Sequence, residues 1–233
     1  MPLPLIAIDG PAGSGKSTTA QSVAKRLGIP YLDTGALYRA AAWAARERGI
    51  DPRNAAGIAR LVENVVMTFA QGDSGTRIWV DGREVTGELR TPAVTKLVSP
   101  VCEIHSVRER LVELQRRWAR RGFGVMEGRD IGSVVLPDAG LKIYLAARPE
   151  VRAVRRGLDL GIKDDREALS RLANELAERD SRDSQRSDSP LRQAPDAAVI
   201  DTSGLTFDQQ VDSIISLAAQ RFNLKLYGAG GQT

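Results

Sequence analysis

Residues 10–17 read Gly10-Pro11-Ala12-Gly13-Ser14-Gly15-Lys16-Ser17, which matches the phosphate-binding pattern G-x-x-x-x-G-K-[ST]. The apolar run Leu5-Ile6-Ala7-Ile8 precedes this loop and predicts a buried strand, and residues 17–27 follow it with the periodicity of a helix. Glycines allow consecutive backbone N–H groups to turn toward phosphate oxygens, and the N-terminus of the following helix adds positive potential. The sequence therefore predicts a nucleoside triphosphate site in which Lys16 reaches the β- and γ-phosphates and the Ser17 hydroxyl ligates Mg²⁺.

Four more short apolar runs alternate with helical patterns along the chain. They are residues 31–32, 123–126, 141–145 and 197–200. Continuous apolar runs of this length are typical of strands that helices cover on both faces, and their alternation with helices is typical of a parallel sheet. The sequence therefore predicts an α/β fold with a five-stranded parallel core sheet.

The remaining segments predict smaller features. Residues 68–86 alternate polar and apolar side chains around Asp81-Gly82, which predicts a small antiparallel insert with a hairpin turn. Capping-box patterns predict helix N-termini at Ser106–Glu109, Asp164–Glu167 and Thr206–Gln209. The glycine-rich tail, residues 227–233, is expected to be flexible.

The composition restricts where the protein acts. Hydrophobic residues make up 42% of the 233 positions, and the longest apolar runs fall well short of the ~18 residues that cross a bilayer. Cys102 is the single cysteine and has no disulfide partner in the chain, which favours a reducing compartment. The net charge is +4 and 27 of the 33 basic residues are arginines, which suits phosphate ligands but also follows from a GC-rich genome. We expect a cytoplasmic monomer that binds small molecules and neither nucleic acid nor membrane.

Several triphosphate-using classes fit the rest of the chain poorly. A guanine-reading N-K-x-D does not occur, and Val125-Met126-Glu127 only loosely matches the acidic strand end of motor ATPases. His105 lies beside a predicted helix start, so we expect a surface or capping residue rather than a base for hydrolysis. Transfer to a phosphate acceptor fits better, because that chemistry depends on positioning and charge neutralisation more than on a base.

Three further polar motifs point to an anionic ligand. They are Asp33-Thr34-Gly35 with Arg39 after the second strand, Glu127-Gly128-Arg129-Asp130 after the third, and a helical stripe of Arg179, Arg182, Asp183 and Arg186. The carboxyl ends of parallel strands meet at one edge, so the first two motifs are expected to flank the phosphate loop. Arginines three or four residues apart on a helix repel each other, which an anionic ligand would relieve. Residues 148–192 are highly polar and are expected to close over that ligand.

Together these motifs resemble the bacterial cytidylate (CMP/dCMP) kinase family. The matching stretches are GPAGSGKST from residue 10, LDTGALYR from residue 32, EGRDIGSVVLPDA from residue 127 and ERDSRDSQRSDSPLRQAPDAAVIDTS from residue 178. The resemblance extends over about residues 4–221 and implies a three-layer α/β/α P-loop kinase. Its parts would be a core at about 1–35, 100–147 and 190–222, a monophosphate-binding region at 36–99 that carries the antiparallel insert, and a short helical lid at 148–189.

The resemblance also implies roles for individual residues. The ATP phosphates would be held by Gly10, Pro11, Ala12, Gly13, Ser14, Gly15, Lys16, Ser17 and Thr18, with Mg²⁺ at Ser17. The acceptor phosphate would contact Thr34, Arg39 and Arg129; cytosine would contact Ser99, Arg108, Asp130 and Arg186; and the sugar would contact Arg179 and Asp183. The catalytic charges would be those of Lys16, Arg129 and Arg182, with Arg155 and Arg156 also available from the lid. Thr34 replaces a serine found in many relatives, and Thr202 and Ser203 are adenine-site candidates by position.

The implied activity is ATP-dependent phosphorylation of CMP, and of dCMP, in pyrimidine nucleotide metabolism. Cytosine presents an N4 donor beside the N3 and O2 acceptors, which Asp130 together with arginine donors can match. Two alternatives remain open on the sequence alone: a P-loop kinase for another small acceptor such as UMP or shikimate, and a non-catalytic nucleotide sensor.

Overall fold

The computed structural model describes residues 5–72, 75–162 and 165–224, and strands and helices alternate along most of the chain. The strands are β1 Leu5–Asp9, β2 Tyr31–Asp33, β3 Met67–Gly72, β4 Gly75–Val80, β5 Arg83–Glu84, β6 Gly124–Gly128, β7 Leu141–Ala146 and β8 Ala198–Asp201. The helices are α1 Lys16–Leu27, α2 Thr34–Glu47, α3 Ala55–Asn64, α4 Pro92–Cys102, α5 His105–Ala119, α6 Pro149–Asp159, α7 Arg166–Gln185 and α8 Phe207–Phe222. A 3-10 turn at Thr86–Glu88 and a π-helical turn at Ile131–Val135 complete the regular structure.

The core sheet has five parallel strands in the order β2-β6-β1-β7-β8, which confirms the predicted sheet. Its register places Asp9 beside Gly128 and Asp33 beside Glu127, at the carboxyl ends of three neighbouring strands. The motifs that follow these strands therefore meet at one edge of the sheet, as the sequence predicted.

Helices cover the sheet on both faces and form the three layers. On one face α1 and α8 pack over a cluster that includes Ile8, Val23 and Ile214. On the other face Met126 packs with Trp118 of α5 and with the π-helical turn. These apolar side chains are almost fully buried, so the central strands match the continuous apolar runs of the sequence, whereas Val199 of the edge strand β8 is 53% exposed.

Residues 36–99, the segment predicted to bind a monophosphate, contribute most of a separate apolar cluster that continues into α5. A cluster around α2, with Leu37, Ile58 and Ile78 fully buried, joins it to α3, α4 and the second sheet β3-β4-β5. That sheet is antiparallel, and Asp81 and Gly82, with φ of 49° and 81°, form its tight turn between β4 and β5. The predicted antiparallel insert at 68–86 is therefore confirmed.

The two sheets are joined by side chains rather than by a shared ladder. The Tyr31 N–H donates to Gln71 Oε1 at 2.9 Å, and the Asp33 N–H donates to Thr76 Oγ1 at 3.0 Å. Tyr31 and Asp33 belong to β2, the outermost strand of the core sheet on this side, and Gln71 and Thr76 belong to the second sheet. The insert therefore satisfies backbone groups at the edge of the core sheet.

The polar segment at 148–192 contains two packed helices, α6 and α7; that they act as a lid stays a prediction. Leu172 and Leu176 of α7 pack against Ala153 of α6 and Ala12 of the phosphate loop. Helices α6 and α7 therefore pack directly on the loop expected to bind ATP. In the part of the chain that the structure describes, no helix is long and apolar enough to cross a membrane.

Two of the three predicted helix starts were misplaced. Helix α5 begins at His105, and the Ile104 carbonyl accepts from the N–H groups of Val107 and Arg108, so Ser106 lies inside the first turn and does not cap it. Asp165 caps α7 through the Ala168 N–H at 2.9 Å, one residue later than predicted, and Asp164 and the tail 227–233 lie outside the described residues. The capping box of α8 is present as predicted, between Thr206 and Gln209.

Candidate active site

The phosphate loop lies between β1 and α1, as the sequence predicted. Gly13 and Gly15 have φ of 75° and 86°, in the left-handed region that favours glycine. A Cβ on Gly10 would lie 2.3 Å from the Leu145 carbonyl oxygen, so only glycine fits this close approach. Because α1 begins at Lys16, the loop directs its backbone N–H groups and the positive end of the helix to the same place.

Lys16 is held by a partner within the loop, and Ser17 is held by a partner on β6. Lys16 Nζ donates to the Pro11 carbonyl at 2.7 Å, and burial lowers the pKa of Lys16, as does the nearby charge of Arg129. Ser17 Oγ donates to Glu127 Oε1 at 2.7 Å. The predicted phosphate-binding lysine and metal-binding hydroxyl therefore lie close to the carboxyl ends of β1 and β6.

Glu127 is a site residue that the sequence interpretation undervalued. It lies on β6 next to the phosphate loop and is buried, and burial together with the negative charge of Asp33 raises its pKa. The signal in the sequence is the apolar run Val125-Met126 that ends in the Glu127 carboxylate. This run only loosely matches the acidic strand end of motor ATPases. Its contact with Ser17 depends on the order of strands in the sheet, which the local pattern does not contain.

The oxygen groups at this point suit a magnesium ion. The Ser17 hydroxyl and the Glu127 carboxylate are hard oxygen donors, which is the ligand type that Mg²⁺ prefers. Among the described residues no cluster of three or more His, Cys, Asp or Glu is placed to hold a metal ion by itself. That sparse protein donor set fits a metal whose remaining ligands are phosphate oxygens and water.

Asp9 links the phosphate loop to the start of the next motif. Its two carboxylate oxygens accept the N–H groups of Ile131 and Gly132 at 2.8 and 2.7 Å. Burial raises the pKa of Asp9 to about 6, although these two hydrogen bonds oppose the rise. Asp9 therefore fixes the π-helical turn that follows Arg129 and Asp130 against the end of β1.

The structure brings together Arg108 and Asp130, two residues predicted to contact the base. Arg108 Nη2 lies 2.9 Å from Asp130 Oδ2, and each side chain is only 5% exposed. The Arg108 guanidinium also lies over the ring of Tyr38, at 5.1 Å from its centroid. A carboxylate acceptor and a guanidinium donor are thus fixed side by side, which is the combination that the cytosine edge requires.

The end of α7 docks on the end of β6 through Asp183. Arg129 Nε donates to Asp183 Oδ2 at 3.1 Å, and Arg186 donates to the other oxygen of the same carboxylate. Asp183 is buried, whereas Arg182 on the same helix is exposed and faces a cavity of about 200 Å³ that Arg108 and Arg186 also line. The predicted stripe on α7 is therefore split between an internal ion-pair network and a cavity wall.

Several of the buried arginines keep unused donors. Arg108, Arg179 and Arg186 each have a buried Nε with no hydrogen-bond partner among the described residues. Burial lowers the pKa of Arg179, and the nearby positive charge of Arg129 lowers it further. Arg152 Nε shares this property, so the unpartnered nitrogens lie both at the end of α7 and between α6 and the phosphate loop.

Arg39, Thr34 and Ser99 lie on the α2 and α4 side of the site. Arg39 Nη1 donates to Thr95 Oγ1 at 2.9 Å, and burial, with the charges of Arg179 and Arg90, lowers the pKa of Arg39 to about 10. Thr34 Oγ1 donates to the Glu127 carbonyl at 2.7 Å, so the Thr34 hydroxyl joins the first residue of α2 to β6. Ser99 is half-buried on α4. Their contacts with CMP stay predictions.

Helices α6 and α7 contact the phosphate loop through two residues that the sequence interpretation missed. Asp180 accepts the Ala12 N–H at 3.0 Å, Arg152 donates to the Ala12 carbonyl at 3.0 Å, and the two side chains form an ion pair. Both peptide groups of Ala12 are therefore held by the lid. Only the arginine-rich and acidic character of residues 148–192 hinted at such contacts.

The two lid arginines that the resemblance put forward have different surroundings. Arg155 donates to the Thr202 hydroxyl at 2.9 Å and to the Thr202 carbonyl at 2.7 Å, so it joins the lid to the loop after β8. Arg156 is partly exposed and lies 3.6 Å from Asp159. A contact between either guanidinium and the transferred phosphoryl group stays a prediction.

Comparison with known proteins places this chain in one family. A family model described as Cytidylate kinase matches residues 6–220. A cytidylate kinase of Pelotomaculum thermopropionicum is 47% identical over 214 residues, covering 91% of this chain and 95% of the relative. A cytidylate kinase of Bacillus cereus (strain ATCC 10987 / NRS 248) is 44% identical over 217 residues, covering 93% and 96%.

Other relatives are longer than this chain. A bifunctional pantoate ligase/cytidylate kinase of Synechococcus sp. (strain JA-2-3B'a(2-13)) is 47% identical over 220 residues, which are 93% of this chain but only 41% of the relative. The chain thus spans about two fifths of that protein. Among solved structures, a gluconokinase from Sinorhizobium meliloti 1021 matches with a TM-score of 0.50 at 14% identity, over 94% of this chain and 93% of the other, which shows a shared fold.

Proposed function

The chain belongs to the cytidylate kinase family, and on that basis we propose that it transfers the γ-phosphoryl group of ATP to CMP, giving ADP and CDP. The observation that carries this proposal is the buried Arg108–Asp130 pair, whose arginine lines one cavity together with Arg186. We extend the proposal to dCMP as a second acceptor. UMP and shikimate, the alternatives left open by the sequence, are not favoured by the family match.

Recognition of the base would rest on the two sides of this pair. The Asp130 carboxylate can accept a hydrogen bond from the cytosine N4 amino group, and the arginine side chains can donate hydrogen bonds to N3 and O2. Uracil presents a carbonyl where cytosine presents that amino group, so the same carboxylate would repel it. Because Asp130 is already fixed by Arg108, the site is organised before the base binds.

The acceptor phosphate would bind where positive charge is concentrated. The pKa values of Arg39 and Arg179 are lowered by burial and by neighbouring cations, with Arg179 acting on Arg39 and Arg129 acting on Arg179. A phosphate dianion would neutralise that mutual repulsion and provide acceptors for the unused donors. Asp183, held by Arg129 and Arg186, would accept a hydrogen bond from the sugar.

Transfer would proceed directly between the two nucleotides, with no covalent enzyme intermediate. Lys16, Arg129 and Arg182 would neutralise the charge that spreads over the transferred phosphoryl group. Mg²⁺, bound at Ser17 with Glu127 behind it, would neutralise the ATP phosphates. The lid, anchored to Ala12 through Arg152 and Asp180, would exclude water and so limit ATP hydrolysis.

We place this activity in the cytoplasm, in a monomer. Cys102, the single cysteine, is buried, and burial raises its pKa to about 11, so its thiol is protonated and unreactive at neutral pH. The small-molecule site and the lid lie within one chain.

The proposal is tested by ADP release from Mg-ATP with CMP, dCMP, UMP, AMP, GMP or shikimate as acceptor. We expect ADP mainly with CMP and dCMP, whereas equal release without any acceptor would indicate an ATPase. Asp130→Ala should reduce kcat/KM for CMP far more than it weakens ATP binding, and Asp159→Asn, an exposed change on α6, is the control. A loss for Asp130→Ala within about threefold, roughly 0.65 kcal/mol, would refute the base-reading role.

A further inference from the structure

His105 connects two elements that the proposed mechanism has not linked. It is the single histidine of the chain and the first residue of α5. Its Nδ1 lies 2.7 Å from Asp188 Oδ2, and its Nε2 lies 3.4 Å from Glu109 Oε1. Asp188 belongs to the segment that follows α7, so this pair joins α5 to the end of the lid.

The segment 186–191 has a constrained backbone. Ser189 has φ of 53°, in the left-handed region that a serine rarely adopts and that costs about 1 kcal/mol or more. Beyond Ser189, the Leu191 N–H donates to the Asp183 carbonyl at 2.8 Å and the Leu191 side chain is buried. Before it, the His105–Asp188 pair is the contact to another element. The strained residue is thus held from both sides.

The same two elements also line one cavity. Arg108 lies one turn after His105 on α5, and Arg186 lies two residues before Asp188. Both arginines line the cavity of about 200 Å³, together with Asp188 itself. The His105–Asp188 contact therefore joins the two elements that carry these arginines.

We propose that the His105–Asp188 pair is a latch that holds the segment carrying Arg186 against α5, beside the cavity that Arg108 and Arg186 both line, which makes His105 a positioning residue for the pyrimidine base. This inference rests on the proposed function, because it concerns the base site of that reaction. His105 is exposed and acts only through Asp188, so it contributes to CMP binding and leaves the phosphoryl-transfer step and ATP binding unchanged.

The latch depends on the protonation state of His105. The hydrogen bond to Asp188, the charge of Glu109 and the charge of Asp188 raise the pKa of His105 above its ordinary value. The other charged groups that line the cavity are Glu103, Arg108, Arg182 and Arg186. Because the folded pKa is raised, the ion pair is fully present below the ordinary pKa of about 6.5 and is lost as pH rises through the raised value. CMP binding should weaken over that interval.

The kinetic test separates the latch from a structural effect. In His105→Ala and Asp188→Asn we expect KM for CMP to rise about two- to fivefold at pH 6.5, the range for an exposed ion pair, with kcat and KM for ATP within about 1.5-fold. Glu109→Gln, which removes only the longer contact, is the matched control. Wild-type KM for CMP should also rise more steeply with pH than that of His105→Ala, a comparison that cancels the ionisation of CMP itself. Equal KM values and parallel pH profiles would overturn the latch.

A second measurement uses the fact that the chain has one histidine. Once any affinity tag has been removed, the imidazole proton resonances in an NMR titration belong to His105 alone. We expect a lower pKa in Asp188→Asn, and a pKa raised by about 0.3–0.7 when CMP saturates the wild type, since linkage requires the same two- to fivefold factor. If CMP causes no ADP release, the proposed function is wrong. The NMR titration with each nucleotide of the panel still tests whether the latch exists. A His105 pKa that no nucleotide changes overturns it.

Discussion

Replacing Asp180 by Asn is expected to weaken the attachment of α6 and α7 to the phosphate loop. In the wild type the Asp180 carboxylate accepts the Ala12 N–H at 3.0 Å and pairs with Arg152, and the two side chains are only 15% and 7% exposed. Asn retains an acceptor for the Ala12 N–H but removes the negative charge. Arg152 would then keep its hydrogen bond to the Ala12 carbonyl and lose its ionic partner in a buried position.

The size of the effect follows from this burial. Breaking a fully buried ion pair costs about 3–5 kcal/mol, and a hydrogen bond to a charged group contributes about 1.5–3 kcal/mol. Asp180 is partly exposed and Arg152 keeps one partner, so we expect a loss of about 2 kcal/mol in the free energy of unfolding. For a chain of this size that corresponds to a fall in Tm of about 4–8 °C.

Calorimetry and ATP kinetics together test this expectation. KM for ATP should rise several-fold, because Ala12 belongs to the loop that binds the phosphates. Glu167→Gln on the same helix is the control: its partner Arg171 and Glu167 itself are exposed, so Tm should change by less than about 2 °C. The reasoning fails if Asp180→Asn lowers Tm no more than this control, or if it leaves KM for ATP unchanged.

Three other substitutions test the site at separate points. Glu127→Gln should raise the Mg²⁺ concentration needed for half-maximal activity and reduce kcat by about ten- to a hundredfold, and a magnesium titration identical to the wild type would contradict this. Burial raises the pKa of Asp9 to about 6, so the unfolded chain loses the Asp9 proton at a lower pH than the folded protein does. As pH rises from about 4 to 6, the wild-type free energy of unfolding should therefore fall by an amount on the order of 3 kcal/mol. Asp9→Asn should remove that slope in denaturant titrations, and an unchanged slope would show that other groups cause it. Gly10→Ala should lower Tm strongly, since its Cβ would meet the Leu145 carbonyl at 2.3 Å, whereas Gly204→Ala, with open space around it, should not; equal Tm values would contradict the close approach.

Local patterns were sufficient for the phosphate loop and the core strands. The loop was predictable because glycine, lysine and serine act through the backbone geometry of one short segment between a strand and a helix. The strands were predictable because burial on both faces leaves a continuous apolar run. The hairpin turn at Asp81-Gly82 was predictable for a similar reason, since its two positive φ angles select these residue types.

Contacts between distant segments were beyond the reach of local patterns. Ala12 and Asp180 are 168 positions apart, and nothing near either residue indicates that they meet. Glu127 carried a signal, but its partner Ser17 is fixed only once β6 is placed beside β1. The misplaced start of α5 has another cause: Ser106 and Glu109 have the right spacing for a capping box, yet the Ile104 carbonyl already accepts the first helical N–H groups.

The side-chain link between the two sheets also bears on solubility during folding. A strand at the margin of a sheet offers unpaired backbone groups to any other extended chain, and proteins commonly cover such margins to avoid self-association. Gln71 and Thr76 accept hydrogen bonds from the N–H groups of Tyr31 and Asp33 on β2. The antiparallel insert therefore shields this edge strand from a second molecule. A shortened enzyme designed without residues 67–84 would therefore risk aggregation through β2 even if its phosphate loop and lid remained intact.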